Sequence, residues 1–423
     1  MDSHSAPAHA SAPSLDPAGF AAKWTKKTVP LAVVGAILAL LGSFLSAKGD
    51  ASFGKQLGFS YLQSFMFFLS LCLGGLFLTI VHHLFDASWS VPVRRVNENL
   101  ACLAPYLGVL FIPILVLAPT IYPWMQIHPP SSDPALLAKD PLFTPGGWYG
   151  ISIGLFLLWT FLSFQLRRNS VAQDADGAAS HTRKLRFYAA WGIVAFGFTL
   201  TMGAILWMKG LEHQWFSTMY GVYYFAGSVW TTLATVYLLT LVLKRSGPLA
   251  HVVGRNQFHD IGKLFFAFTV FYAYIHFSQY FIIWNGGMPE ETFYYVKREV
   301  GSWWGIGMLI VFGHFVIPFL GLLRIDAKVT LPVMIPICVW AWLMHFCDMS
   351  YNVMPIHRPG GFQLTLGDIG CWLFLAGALS TIWLKGYAKN AAYPVKDPRL
   401  GEALGIHFYD SVATDGSAAK ATK

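Results

Sequence analysis

Residues 59–81 read Phe59-Ser-Tyr-Leu-Gln-Ser-Phe-Met-Phe-Phe-Leu-Ser-Leu-Cys-Leu-Gly-Gly-Leu-Phe-Leu-Thr-Ile-Val81, a run with no charged residue. Wound as a helix at 1.5 Å per residue, it reaches about 35 Å, enough to cross a hydrocarbon core of about 30 Å. Strand-like alternation is weak, and in lipid every backbone amide must be bonded within the protein. A helix is therefore the predicted spanning element.

Similar apolar runs occur at 29–47, 100–121, 148–166, 187–208, 216–243, 264–284, 303–323, 329–347 and 368–385. Together they predict an all-α integral membrane protein with ten transmembrane helices. Composition agrees. Of 423 residues 55% are hydrophobic and only 12% charged, about half the charge of a soluble domain, and mean hydropathy is +0.51. The first run follows Lys23, Lys26 and Lys27 like a signal peptide, but is too long for one and is expected to remain as a span. Residues 1–22, rich in Ala, Pro and Ser, read as a disordered tail, 23–390 as the membrane domain and 391–423 as a second tail.

The net charge of +8 would raise nucleic-acid binding in a soluble chain. In a membrane protein it reflects Lys and Arg gathered in the cytoplasmic loops. Here 22 of the 29 fall in the two tails and the loops after even-numbered helices. That asymmetry predicts both termini in the cytoplasm, with Trp124, Trp148, Trp284, Trp303 and Trp304 at the outer interface. The five cysteines never form CxxC, so no iron–sulfur or zinc framework is expected in this chain. P-loop, HExxH and nucleophile-elbow motifs are missing from the sequence as well.

Ionisable groups inside spans are costly and point to function. On helix 7, Tyr272, His276 and Gln279 fall at i, i+4 and i+7, which lets a phenol, an imidazole and an amide share one face. With His314 at similar depth on helix 8, and Asp260 and Lys263 opening helix 7, they form a candidate proton path. At the outer end of helix 9, His345 and Asp348 are three residues apart, and His357 follows across a Pro-rich turn. An imidazole and a carboxylate side by side could accept the two protons of a quinol. With Glu290, Glu291 and Arg298 of the neighbouring loop they make a candidate outer quinone site. A b-haem between His276 and His314 is disfavoured, because haem bundles usually supply small residues to admit the ring.

The stretch His259-Asp-Ile-Gly-Lys-Leu-Phe-Phe-Ala-Phe-Thr-Val-Phe-Tyr-Ala-Tyr-Ile-His-Phe-Ser-Gln-Tyr-Phe-Ile-Ile-Trp284, with Met288-Pro-Glu-Glu-Thr292, closely resembles the ActF subunits of bacterial alternative complex III. Asp86-Ala-Ser-Trp-Ser-Val-Pro-Val-Arg-Arg-Val-Asn-Glu-Asn99 is similar to the same family's inner loop after helix 2. The resemblance implies a membrane subunit of a quinol:cytochrome c oxidoreductase of the NrfD and PsrC type. It implies two four-helix bundles, helices 2–5 and 6–9, flanked by helices 1 and 10. Expected partners are an ActC-like membrane subunit, an iron–sulfur subunit, multihaem c-type cytochromes, other membrane-anchored subunits and a terminal oxidase. Those partners would carry the redox centres, with quinone or quinol the only ligand expected on this chain. The alternative is a proton-coupled secondary transporter, for which ten helices and midplane histidines also suffice, although matched discontinuous helices are not evident.

Overall fold

The computed structural model describes residues 16–47, 52–127 and 132–405, whose regular elements are all helices, with no strand among them. Among the described residues nine helices are long and apolar enough to cross a membrane: α1 (Pro17–Ser46), α2 (Phe53–Leu84), α4 (Pro145–Asp176), α5 (Ala179–Trp207), α6 (Tyr220–Ser246), α7 (Arg255–Gly286), α8 (Ser302–Leu322), α9 (Leu331–Val353) and α10 (Leu366–Tyr387). The tenth, α3, is a pair, Ser88–Leu110 and Ile112–Ile121, bent by 56°. Pro113 sits in the first turn beyond the bend and has no N–H for the carbonyl four residues back. The chain is a multi-pass membrane protein.

Helices α2–α5 pack each on the next, and α5 returns to α2; α6–α9 close in the same way. The two four-helix bundles meet along α2 and α6, with α5 touching α6 and α9 touching α2. In their most apolar windows α2 and α6 are 89% and 83% buried, against 28% for α7 and α8, which face the surroundings. The inner pair can therefore afford Ser60, Gln63, Ser64, Ser70, Ser228 and Thr232, all buried. The hydroxyl stripe of α6 is used for packing: Ser228 and Thr235 bond carbonyls four residues back, and Tyr224 bonds the Met66 carbonyl at 2.8 Å.

Outside the bundles α1 runs antiparallel to α10 in backbone contact. A Cβ on Gly370 would lie 2.1 Å from the Ala39 nitrogen, and one on Gly35 2.2 Å from the Phe374 nitrogen. Small residues let membrane helices approach this closely and pack without a hydrophobic driving force. Thr28 and Thr381 join the same seam at 2.6 Å. This contact places both helix ends on one side, called here the termini side.

Three expectations change. The first helix begins at Pro17, inside the tail expected over 1–22, because Asp16 caps it through the Gly19 N–H at 2.6 Å; residues 1–15 of the expected tail lie outside the described residues. The segment after 391 is docked, at least through Ala403, because the buried Arg94 needs an acid, which Asp397 supplies at 2.5 Å; Arg399 adds a partly exposed pair with Asp86 at 2.6 Å. Residues 406–423 of that tail lie outside the described residues. Of the five tryptophans expected at the interface, Trp124, Trp148 and Trp303 are buried, because Trp148 and Trp303 donate to the Leu206 and Arg358 carbonyls inside the protein.

The charged loop after α2 is a buried network. Glu98 accepts from Arg94, Arg95, Arg167 and Ser170 at 2.6–3.0 Å, and Arg95 also meets Asp174. Burial alone would raise the Asp397 carboxyl, but Arg94 and Arg399 hold it below the ordinary range.

Two outcomes follow from these contacts. Gly370→Leu should drive α1 off α10, read as new accessibility of cysteines placed along the α1 seam, whereas Gly360→Leu, with open space at its Cβ, should not. Asp397→Ala should cost roughly 3–5 kcal/mol at pH 7, since it leaves Arg94 short of a buried partner. That contribution is complete above the unfolded Asp pKa of about 3.9 and is lost as pH falls through the lowered folded value. The Tm difference between wild type and variant should therefore shrink on acidification.

Candidate functional site

The site starts from an irregularity in α8. A π-helical turn, Val311–Val316, precedes Pro318, which lacks the N–H that would bond the His314 carbonyl. Across this turn the Ile317 N–H bonds the Phe312 carbonyl, so the Gly313 carbonyl, five residues before Pro318, is left free and takes the Trp340 indole N–H at 2.8 Å. The wider turn carries His314 inward between two rings, with centroids 3.7 Å from Trp230 of α6 and 3.5 Å from Tyr272 of α7. His314 is fully buried, and neither of its ring nitrogens has a hydrogen-bond partner among the described residues.

From α9, His345, Asp348 and Asn352 point to the same interior at i, i+3 and i+7. His345 Nε2 contacts Ser70 Oγ of α2 at 2.9 Å. Asp348 accepts from the Tyr223 hydroxyl of α6 and from Asn352 Nδ2 at 3.2 Å. Tyr223 in turn accepts from Tyr272 at 3.3 Å, and the Tyr272 hydroxyl lies 3.3 Å from His276 Nδ1. With the Tyr272 proton committed to Tyr223, the consistent arrangement has His276 offering Nδ1–H, which leaves Nε2 as its acceptor. The result is a file from His276 through Tyr272 and Tyr223 to Asp348, crossing three helices.

His276 also forms part of the wall of a cavity of about 640 Å³ between α7 and α8. Most of its lining is apolar, with Tyr274, Phe277 and Trp304 at 64%, 62% and 57% exposure marking a mouth on the lipid-facing surface. At the other end are Tyr272, Tyr295, Arg298, Glu299 and Tyr351. Arg298 is held there rigidly. Its guanidinium stacks 3.4 Å from the Tyr294 ring and donates to Glu212 at 3.0 Å and to the carbonyls of Tyr294, Tyr351 and Asn352.

Residues expected in two separate sites are thus redistributed. His276 and His314 join His345 and Asp348 in one interior, because Tyr272 reaches from α7 to both His314 and Tyr223. Gln279 bonds Ser217 at 2.9 Å and Tyr295 at 3.0 Å, closer to the cavity's end than to the file. Asp260 and Lys263 pair with each other at 2.7 Å at the start of α7, about 20–24 Å from His276 by helix rise. His357 leaves the group altogether. The turn Met354–Ile356 directs it to α2, where it stacks on Phe59 at 5.0 Å and meets Gln56 at 2.7 Å. Burial, with Arg358 and Lys55 nearby, lowers its imidazole to about 4, so it is neutral at pH 7. Glu290 is exposed and Glu291 half-exposed on the helix Pro289–Arg298, because the inward face of that helix is taken by Tyr294, Tyr295 and Arg298.

Tyr223, Asn352, Trp230 and Ser70 went unnoticed in the sequence. Tyr223 adjoins the hydroxyl stripe of α6 but lies off it, so only contact with α7 and α9 reveals its part. The ligand atoms of His314, His345 and Asp348 all lie within 4.8 Å of one another, so these three could converge on a cation or a water molecule. Asp348 and His345 are already oriented by Tyr223, Asn352 and Ser70 without one.

No protein-family model and no curated protein matches this chain.

Tyr223→Phe should destabilise the protein by about 1–3 kcal/mol, because Asp348 and Tyr272 each lose a buried partner. Denaturant titration in detergent measures it, and a change under about 0.5 kcal/mol would mean that the file is not held through this hydroxyl.

Proposed function

We propose that the chain is the membrane subunit of a respiratory quinol:cytochrome c oxidoreductase of the alternative complex III type, and that quinol enters through the cavity between α7 and α8. The observation carrying this reading is the junction of an apolar, lipid-facing cavity with the file His276–Tyr272–Tyr223–Asp348. A quinol has an apolar tail and a ring with two hydroxyls. The cavity offers apolar walls to the tail and, from His276, Tyr272 and Tyr295, an imidazole and phenols to the head.

In this reading a quinol hydroxyl donates to His276 Nε2. The resulting imidazolium passes its Nδ1 proton to Tyr272, and the hydroxyls relay it to Asp348, the carboxylate that takes it up. Oxidation releases two electrons and two protons, one of which is taken up by Asp348 and the other by the His276 imidazole. The electrons leave for iron–sulfur and multihaem c-type cytochrome partners, since no redox centre is assigned to this chain. Arg298, with Glu212 behind it, fixes the polar end of the cavity and orients the ring. An ActC-like membrane subunit, other anchored subunits and a terminal oxidase complete the proposed assembly, in a bacterial plasma membrane with both termini cytoplasmic. The resemblance of residues 259–284 to ActF subunits and the excess of Lys and Arg on the termini side support that placement.

Positioned proton acceptors contribute about 10²–10⁴-fold to rate. His276→Ala and Asp348→Asn should each lower quinol:cytochrome c turnover at least about 100-fold in complexes that still assemble. Met308→Trp, which fills the cavity, should raise KM for long-tailed quinols more than it lowers kcat. Normal turnover in both acceptor variants would remove the quinol site from this cavity.

A further inference from the structure

Two grooves flank the end of α10 on the termini side. One, of about 800 Å³, lies between α1 and α10 and is lined by Ala18, Ala21, Ala22, Val29 and Pro30. The other, of about 500 Å³, lies among α3, α4 and α10, with Leu103, Tyr106, Phe164, Ile382 and Trp383 in its walls. Lys385 and Lys389 line both. Lys385 lies in the last turn of α10 and Lys389 two residues past its end. Each groove adds a further cation, Lys26 in the first and Arg167 in the second. No carboxylate lines either groove. Arg167 alone of the four has an acid, Glu98 at 2.7 Å; Lys26, Lys385 and Lys389 have no ion-pair partner among the described residues.

This is more than the solvated rim of a basic loop. The cations sit at the ends of membrane-spanning helices, and apolar walls continue from them toward the membrane interior. Trp383 and Leu103 are shared between the second groove and a further apolar cavity of about 330 Å³, enclosed by α1, α2, α6 and α10. Volume for acyl chains is thus present on both sides of α10 and beneath one of them. Positive charge left over at the level of lipid phosphates attracts anionic lipid, worth roughly 1 kcal/mol for each Lys or Arg near the surface.

We propose that the end of α10 is a binding site for an anionic phospholipid with two phosphates and four acyl chains. Lys385 and Lys389 hold the headgroup across the helix. Lys26 takes one phosphate and Arg167 the other, and the chains run down the two grooves. A lipid seated this way clamps the glycine-packed α1–α10 pair to the bundle formed by α2–α5. Charge complementarity carries the choice of occupant: three lysines without an ion-pair partner among the described residues, with Arg167 beside them, suit two phosphates, whereas a zwitterionic headgroup would bring an amine into the same cluster. The inference is independent of what the cavity between α7 and α8 binds.

The test uses the full chain, or its assembled complex, purified from native membranes in mild detergent. Lipid is quantified by native mass spectrometry and phosphate analysis. Wild type should retain about one cardiolipin per chain, and Lys385→Ala/Lys389→Ala should lower that retention at least about tenfold. Lys244→Ala, on the same side but seated over Phe258, should leave it unchanged. To separate lipid loss from misfolding, cardiolipin added back to delipidated protein should raise Tm in wild type and in Lys385→Arg/Lys389→Arg but not in the double alanine variant. Undiminished cardiolipin in the double alanine variant would overturn the proposal. So would an equal Tm response to phosphatidylcholine, or a response to inorganic phosphate alone.

Discussion

The structure depends on satisfying polar groups where no water can do so. α2 and α6 are the inner helices of their bundles, and the hydroxyls and amides they carry would cost several kcal/mol each if turned to lipid. Facing one another, they bond across the seam: Tyr224 to the Met66 carbonyl, Thr232 to the Ser70 carbonyl and Gln63 to Ser350 of α9 at 2.6 Å. This seam fixes the two bundles against each other. It also brings α7 and α9 to opposite sides of Tyr223, which lets a tyrosine on the inner helix connect His276 to Asp348.

The same requirement acts on charge at the termini side. Arg94 and Arg95 are buried, so Glu98, Asp174 and Asp397 are drawn in from three different segments to meet them. A stretch past the last span, which by composition alone reads as a tail, becomes part of the fold because it supplies one of these acids. At the end of α10 the balance is left open. The lysines there face grooves rather than carboxylates, and Arg167, which pairs with Glu98 and also lines one groove, is where the closed network meets the proposed lipid-binding face.

The candidate site was partly legible. His276, His314, His345 and Asp348 could be singled out because ionisable groups in apolar runs are conspicuous, and Tyr272 because it shares a face with His276. Their division into an outer quinone site and a separate path failed. Sequence gives depth along each helix but not which faces of different helices meet. His357 illustrates the limit: nine residues from Asp348 in the chain, it is carried by one short turn to Gln56 and Phe59 of another helix. Tyr223 illustrates the converse. A tyrosine among several on α6, it acquires its role from three neighbours on two other helices.

The amino-acid sequence by itself determined that the chain spans a membrane on about ten helices, where those helices lie, and which residues within them are costly enough to demand a reason. Those conclusions rest on transfer free energy and helix rise, which are local properties summed along a segment. Only the tertiary structure decided that α8 opens into a π-helical turn to place His314 between Trp230 and Tyr272, that His276 lines the cavity, and that acids and arginines of distant segments close one network while Lys385 and Lys389 have no ion-pair partner among the described residues. Those outcomes follow from the rotation of each helix about its axis and the distances between side chains remote in sequence. Packing of all the helices at once fixes them, because each buried polar group accepts only an arrangement that also satisfies its neighbours.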